Sequence, residues 1–285
     1  MDYASKANIE IYHKLLEAIQ SIDSVLSIGK SGGAELPENN ESDIDLFVFC
    51  SRVPDLETRR ASVEKMGPAV TKTTLSEASG RFWGVCDFVA IGDIDDIDDI
   101  GDIDSFGGIV ICLMYFTVSE MDDEIESVLN GSRLDRESEY FYPTGRCATF
   151  ASMHILCDKT GYIANMKCKL TEYPPQLAAQ LFDRHIKGIN DAEDFNRAVS
   201  RGDVPFYHFV LDMSIDHYLQ ALFALNKCWF PSRKRSLEYI DNFKQKPARC
   251  SERLLKTIAL SAGADTLVES YTIWSALCAE LTALM

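Results

Sequence analysis

The stretch that decides the fold reads GKSGGAELPENNESDIDLFVF and runs from Gly29 to Phe49. Its last eight residues, SDIDLFVF, predict a buried strand that opens with two acids, Asp43 and Asp45. Because residues two apart in a strand point to the same side, the two carboxylates share one face while Ile44 and Leu46 enter the core. Two carboxylates at the start of a buried strand are costly unless a cation lies between them. We therefore predict a metal site at the start of this strand.

The turn before this strand is rich in small residues, with Gly29, Ser31, Gly32 and Gly33 close together. Such a turn lets backbone N–H groups and a hydroxyl approach phosphate oxygens closely. Mg²⁺ is a hard ion that accepts carboxylate oxygens and keeps coordination positions open for phosphates. The turn and the strand together predict a site for a magnesium–phosphate ligand.

Short apolar strands alternate with helices up to about residue 163, and long helical patterns dominate afterwards. An apparent hairpin, in which CDKTG joins the segments 147–156 and 162–167, spans this change. The helical patterns cover 176–187, 192–201, 205–225, 236–243 and 251–284. We predict an α+β fold, with a small mixed-sheet domain over residues 1–163 and an α-helical bundle over residues 164–285.

The composition limits the function classes that fit this chain. Of its 285 residues, 46% are apolar and 25% are charged, which is typical of a soluble globular protein. No apolar run is long enough to span a membrane, and the first residues do not resemble a signal peptide, so we expect a cytoplasmic protein without a membrane partner. The net charge of −16 disfavours nucleic acid as a partner and favours cations, either metal ions or an amine-bearing substrate. The nine cysteines show no metal-binding spacing, which favours buried free thiols. The oligomeric state stays open.

The segment 29–49 resembles the nucleotidyltransferase superfamily, the polymerase-beta-like fold, in which a Gly-Ser turn precedes Asp-x-Asp at the start of a strand. Three further segments are similar to bacterial nucleotidyltransferase-domain proteins with a helical C-terminal domain. They are FWGVCDF (82–88), MYFTVSEMDDEIESVLNG (114–131) and ALFALNKCWFPSRKR (221–235). That family in turn resembles the aminoglycoside and lincosamide nucleotidyltransferases.

The resemblance implies a nucleotidyltransferase that uses Mg²⁺, with two ions, and that moves NMP from ATP or another NTP to a hydroxyl of a small acceptor. Asp43 and Asp45 would be the metal ligands and catalytic acids. Gly29, Ser31 and Gly32 would bind the nucleotide phosphates, as would Lys234, for which a solvated position at a helix start is an equal alternative. The implied acceptor carries hydroxyl and amine groups, as an aminoglycoside-like compound does.

The superfamily also implies a third acid from a neighbouring strand, and two positions compete for it. Asp87 lies in the apolar run VCDFVAI, and we predict it to be the third catalytic acid. In the strand GGIVICLMYF, Cys112 stands where the family has its acid. A thiol is a poor Mg²⁺ ligand, so Cys112 at that position would indicate a catalytically impaired, nucleotide-binding or regulatory protein on the same fold.

A second acidic stretch, GDIDDIDDIGDID, covers residues 92–104. Its isoleucines repeat every third residue, which matches neither a strand nor an α-helix, and its acids do not follow the EF-hand pattern. We interpret it as an acidic insertion between two strands, with a weak cation site or a rim for a cationic substrate as the alternatives.

Overall fold

The computed structural model describes residues 6–32, 36, 43–80, 82–92, 108–136 and 141–284. The chain forms two compact units. One comprises Met1–Glu126 and Thr149–Thr171, and the other Ser127–Ala148 and Glu172–Met285. The predicted division at residue 163 lies instead within a helix of the first unit, Tyr162–Lys169.

The first unit is built on a mixed β-sheet. Its strands are β1 (Val25–Lys30), β2 (Ile44–Cys50), β3 (Val70–Thr74), β4 (Val85–Ile91), β5 (Ile109–Thr117) and β6 (His154–Asp158). Among the described residues they form one six-stranded sheet in the order β3-β4-β5-β2-β1-β6. Strands β2 and β5 run parallel, and the other neighbours are antiparallel. The α+β class and the mixed sheet are therefore confirmed.

Helices cover both faces of this sheet. They are α1 (Lys6–Gln20), α2 (Leu56–Glu64) and α5 (Tyr162–Lys169), with α3 (Val118–Leu129) and α4 (Gly145–Ser152) each divided between the two units, and a 3₁₀ turn at Gly67–Ala69. One face is an aliphatic core in which α1 side chains pack against alternate residues of β2, β4 and β5. The opposite face carries stacked aromatic rings, among them Phe47, Phe49, Phe116 and Phe150. Because the side chains of β2 alternate between the two faces, each face of the sheet carries an apolar layer.

The predicted hairpin over residues 147–167 is wrong. Only β6 is a strand there, and it pairs with β1, while the flanking segments form α4 and α5. The Asp158 carboxylate accepts hydrogen bonds from the Ala164 N–H at 3.0 Å and from the Ser27 hydroxyl at 2.6 Å. Asp158 therefore satisfies a free N–H at the start of α5, where we had expected a turn between two strands.

The second unit is helical. Its further helices are α6 (Pro175–His185), α7 (Ala192–Arg201), α8 (Val204–Leu225), α9 (Ser236–Asn242), α10 (Cys250–Leu260) and α11 (Leu267–Ala283), with a 3₁₀ turn at Ile186–Gly188. The predicted single helix 251–284 is two helices, because the small and polar segment 261–266 ends α10, and Thr266 Oγ1 donates to the Leu260 carbonyl at 2.6 Å. Within the described ranges, no helix is both long and apolar enough to cross a bilayer.

Candidate active site

Asp43 immediately precedes β2 and Asp45 is its second residue, both in the first unit. Ile44 and Leu46 belong to the aliphatic core, so Asp45, between them, projects from the opposite face of the strand. Both acids are partly buried, and their charges act on the thiols of Cys86 and Cys112. The two carboxylates therefore lie close to the same part of β4 and β5.

The Gly-Ser turn begins next to these acids. The Ser31 N–H donates to the Asp45 carbonyl at 3.1 Å, which holds the turn against the start of β2. Gly32 follows with a φ of +77°, a left-handed conformation that favours glycine, and none of the described residues comes within 4 Å of the place where its Cβ would be. The Ser31 backbone thus lies beside that of Asp45, and the predicted phosphate-binding role of Ser31 and Gly32 stays a prediction.

Gly29 lies outside this turn, and its lack of a side chain has a different reason. It pairs with Phe47 in β2 and with Ile155 in β6, so it lies inside the sheet. A Cβ atom at this position would be 2.1 Å from the Met153 sulfur and 3.2 Å from Ile163 Cδ1. The predicted phosphate-binding role of Gly29 is therefore corrected, because the glycine is required by the close approach of Met153.

Asp87 is separated from the other two acids. In β4 it lies on the same face as Val85 and Val89 of the aliphatic core, which is the face opposite Asp45. It is fully buried and forms an ion pair with Arg59, which is 3% exposed. The structure places Asp87 and Asp45 on opposite faces of the sheet, so the predicted assignment of Asp87 as the third acid beside Asp45 is corrected.

The surroundings of Asp87 indicate a structural role. Its Oδ1 atom also accepts from the Ser76 N–H at 3.0 Å, and the Arg59 guanidinium lies 5.6 Å from the centre of the Tyr115 ring. Burial raises the pKa of the Asp87 carboxyl, and the Arg59 guanidinium and the Ser76 N–H oppose that rise. This group links α2 and the segment before β4 to the centre of the sheet.

Cys112, the competing candidate for the position of the third acid, lies on the same sheet face as Asp45. It is the residue opposite Asp45 in the parallel pairing of β2 and β5, and it is 4% exposed. Its hydrogen bond with Cys86 and its burial raise the pKa of the Cys112 thiol well above the ordinary value, and the Asp45 and Asp43 carboxylates raise it further. A protonated thiol neither binds Mg²⁺ well nor accepts a proton from a hydroxyl.

Two features of this site were not predicted from the sequence. Cys86 lies beside Cys112, with 3.1 Å between the sulfur atoms. Arg59 is the ion-pair partner of Asp87. The sequence did indicate that Arg59 is buried, because it lies four residues before the apolar Val63 and therefore on the same face of α2. A lone acid in the apolar run VCDFVAI was a second indication, because a buried carboxylate needs a partner.

Lys234 lies in the second unit, directly before α9. Its side chain is exposed, and its N–H donates to the Ser232 hydroxyl at 3.1 Å. The neighbouring Arg233 pairs with Asp212 at 2.6 Å. The predicted contact of Lys234 with phosphate stays a prediction. The acidic run 92–104 lies outside the described residues apart from Gly92, so its interpretation also stays a prediction.

The donor set is suited to one kind of metal ion. Across the part of the chain that the structure describes, no three or more His, Cys, Asp and Glu side chains are placed to hold a metal by themselves. Mg²⁺ is commonly held by one or two carboxylates together with substrate phosphates and water. Asp43 and Asp45 fit that pattern, whereas a metal site closed by protein ligands alone does not fit.

Comparisons with known proteins give limited matches. Residues 142–235 match the family described as "Domain of unknown function (DUF4037)". A search of curated protein sequences finds no match. Among solved structures, the chain is similar to a nucleotidyltransferase-like protein from Exiguobacterium sibiricum, with 9% identity, 95% of this chain and 75% of that chain covered, and a TM-score of 0.39.

Proposed function

We propose that the chain binds the Mg²⁺ complex of a nucleoside triphosphate, with ATP as the expected nucleotide, at the start of β2. We further propose that it transfers the nucleotidyl group to a hydroxyl of a small, amine-bearing acceptor. The observation that carries the proposal is the pair Asp43 and Asp45 beside the turn at Ser31 and Gly32. The resemblance of the segment 29–49 to nucleotidyltransferases supports the same function.

Each residue has a distinct role in this proposal. The carboxylates of Asp43 and Asp45 would hold Mg²⁺, which supplies positive charge against the phosphates. The Ser31 N–H already donates to the backbone carbonyl of Asp45, so phosphate oxygens would be met by the Ser31 hydroxyl and by the backbone of Gly32. The chain then contributes to phosphoryl chemistry mainly by positioning the reactants and by neutralising charge.

A second candidate function is nucleotide binding without transfer, and Cys112 favours it. No third carboxylate stands on this face at the position opposite Asp45, because Cys112 occupies it and Asp87 lies on the other face. A protein with this site would bind and release nucleotide as a regulatory or sensing step. Both candidates require the same Mg²⁺-dependent binding.

The first experiment tests that binding by isothermal titration calorimetry with ATP, in Mg²⁺ and in EDTA. We expect Asp43→Asn and Asp45→Asn to weaken the Mg²⁺-dependent affinity by at least about tenfold, equivalent to about 1.4 kcal/mol. Asp23→Asn is the matched control, because this exposed acid between α1 and β1 gives the same change in net charge. Equal affinity in all three variants would exclude both candidate functions.

The second experiment separates transfer from binding by measuring pyrophosphate release with a panel of hydroxyl- and amine-bearing acceptors. Release by the natural sequence supports the transferase. Release only after Cys112→Asp, which adds a third carboxylate opposite Asp45, supports an impaired site. Cys112→Ser is the control for size without charge, and the melting temperature of each variant shows whether it stays folded.

A further inference from the structure

Two thiols lie side by side on the sheet face that carries Asp45. The Sγ atoms of Cys86 in β4 and Cys112 in β5 are 3.1 Å apart. The two residues are diagonal neighbours, since Cys86 pairs with Met114 and Cys112 pairs with Phe88. An S–S bond is about 2.05 Å long, so the sulfur atoms need to approach by about 1 Å to form one.

The two thiols differ in exposure. Cys86 is partly exposed, whereas Cys112 is 4% exposed. A small oxidant therefore reaches Cys86 first, and Cys112 lies within reach of the oxidised sulfur. This order matches the division between an attacked thiol and a resolving thiol in redox-sensitive pairs.

We propose that Cys86 and Cys112 form an oxidative modification site, at which a peroxide converts the two thiols into a reversible disulfide. The peroxide first oxidises the Cys86 thiol to a sulfenic acid, with loss of one water. The Cys112 sulfur then attacks the Cys86 sulfur, so that an S–S bond forms, the S–O bond breaks, and the Cys112 thiol proton leaves with the hydroxyl as a second water. In total, the thiols lose two hydrogens and one peroxide is reduced to two waters.

The pairing of β4 and β5 determines how easily the disulfide is reduced. Diagonal positions in an antiparallel pair have Cα atoms about 7–8 Å apart, which is more than the ordinary Cα separation in a disulfide, so the two strands must also draw together when the bond forms. Such a bond is readily reduced, because departure from the preferred geometry favours the open thiols. We therefore expect small thiols to restore both cysteines. This site does not depend on the proposed nucleotidyl transfer.

Mass spectrometry of the peroxide-treated, folded protein tests the proposal. No Lys or Arg lies between residues 82 and 132, so trypsin leaves both cysteines on the peptide 82–133. The disulfide lowers the mass of this peptide by two hydrogens and blocks both alkylation sites. An Asp-specific protease cuts between the cysteines, and a disulfide then holds two fragments together until dithiothreitol is added.

Serine variants establish which thiols take part. Cys112→Ser should abolish the linked fragments and leave Cys86 as a sulfenic or more oxidised acid. Cys168→Ser, which removes an exposed thiol elsewhere, should leave the linked fragments unchanged. The proposal is overturned if both cysteines of the natural sequence remain fully alkylatable after peroxide, if Cys86 bonds to a different cysteine, or if Cys86 becomes a sulfinic acid while Cys112 stays free.

Discussion

Replacing Asp87 by alanine tests whether this acid stabilises the sheet unit or serves the proposed Mg²⁺ site. Asp87 and Arg59 are 0% and 3% exposed, so Asp87→Ala leaves a buried guanidinium without its carboxylate. Removing one partner of a buried ion pair costs about 3–5 kcal/mol. Arg59 keeps the Pro54 carbonyl at 3.2 Å and the Ser76 carbonyl at 2.8 Å, so we expect the lower end, about 3 kcal/mol.

The measurement must report on the first unit alone, because a chain with two units need not unfold in one step. Native-state hydrogen exchange, read by mass spectrometry on peptides from β4 and β5, gives the free energy of opening locally. A loss of 3 kcal/mol corresponds to exchange that is roughly a hundredfold faster. Asp43→Asn is the matched control, and we expect it to change the opening free energy by less than about 1 kcal/mol.

Two results would refute the structural role of Asp87. One is an alanine variant whose β4 and β5 peptides exchange at a rate within about fivefold of the natural sequence, or about 1 kcal/mol. The other is an Asp87→Asn variant that keeps its protection from exchange but loses Mg²⁺-dependent nucleotide binding. That second result would return Asp87 to the group of metal ligands.

Three further predictions concern particular contacts. Burial lowers the pKa of His185 to about 4, and its Nδ1 atom lies 2.9 Å from His217 Nδ1. As the pH falls, the His185 imidazole is protonated in the unfolded state first, near pH 6.5. The free energy of unfolding should therefore be full above that pH and should fall by up to about 3 kcal/mol as the pH drops towards 4. Calorimetry from pH 7 to pH 4 should show a smaller decline for His185→Gln. Gly29→Ala should destabilise the protein by about 1–3 kcal/mol, because its Cβ would overlap Met153, and a lower melting temperature would show it. Asp158→Ala should cost about 1–2 kcal/mol in urea denaturation, because the start of α5 loses its acceptor, whereas an unchanged midpoint would contradict this capping role.

Much of the fold could be predicted from local patterns. The strand β2 was predicted correctly because its apolar residues form an unbroken run after Asp43 and Asp45. The helix α7 was predicted with its observed bounds, because Asp191 caps its first turn and Gly202 ends it in a left-handed conformation. The hairpin predicted over residues 147–167 is wrong because a short apolar run does not distinguish a strand from a helix. The hydrogen bond from the Ala164 N–H to Asp158, which marks a helix start, appears only in the folded chain.

The candidate site also has a part that the sequence predicts and a part that it does not. The sequence alone places Asp43 and Asp45 together, because residues two apart in a strand share a face whatever the strand packs against. It does not assign Asp87 to a face, since both sides of VCDFVAI are apolar and either could face the aliphatic core. Only the tertiary structure places Asp87 beside Arg59 and Cys112 opposite Asp45, because strand pairing and helix packing join residues far apart in the chain.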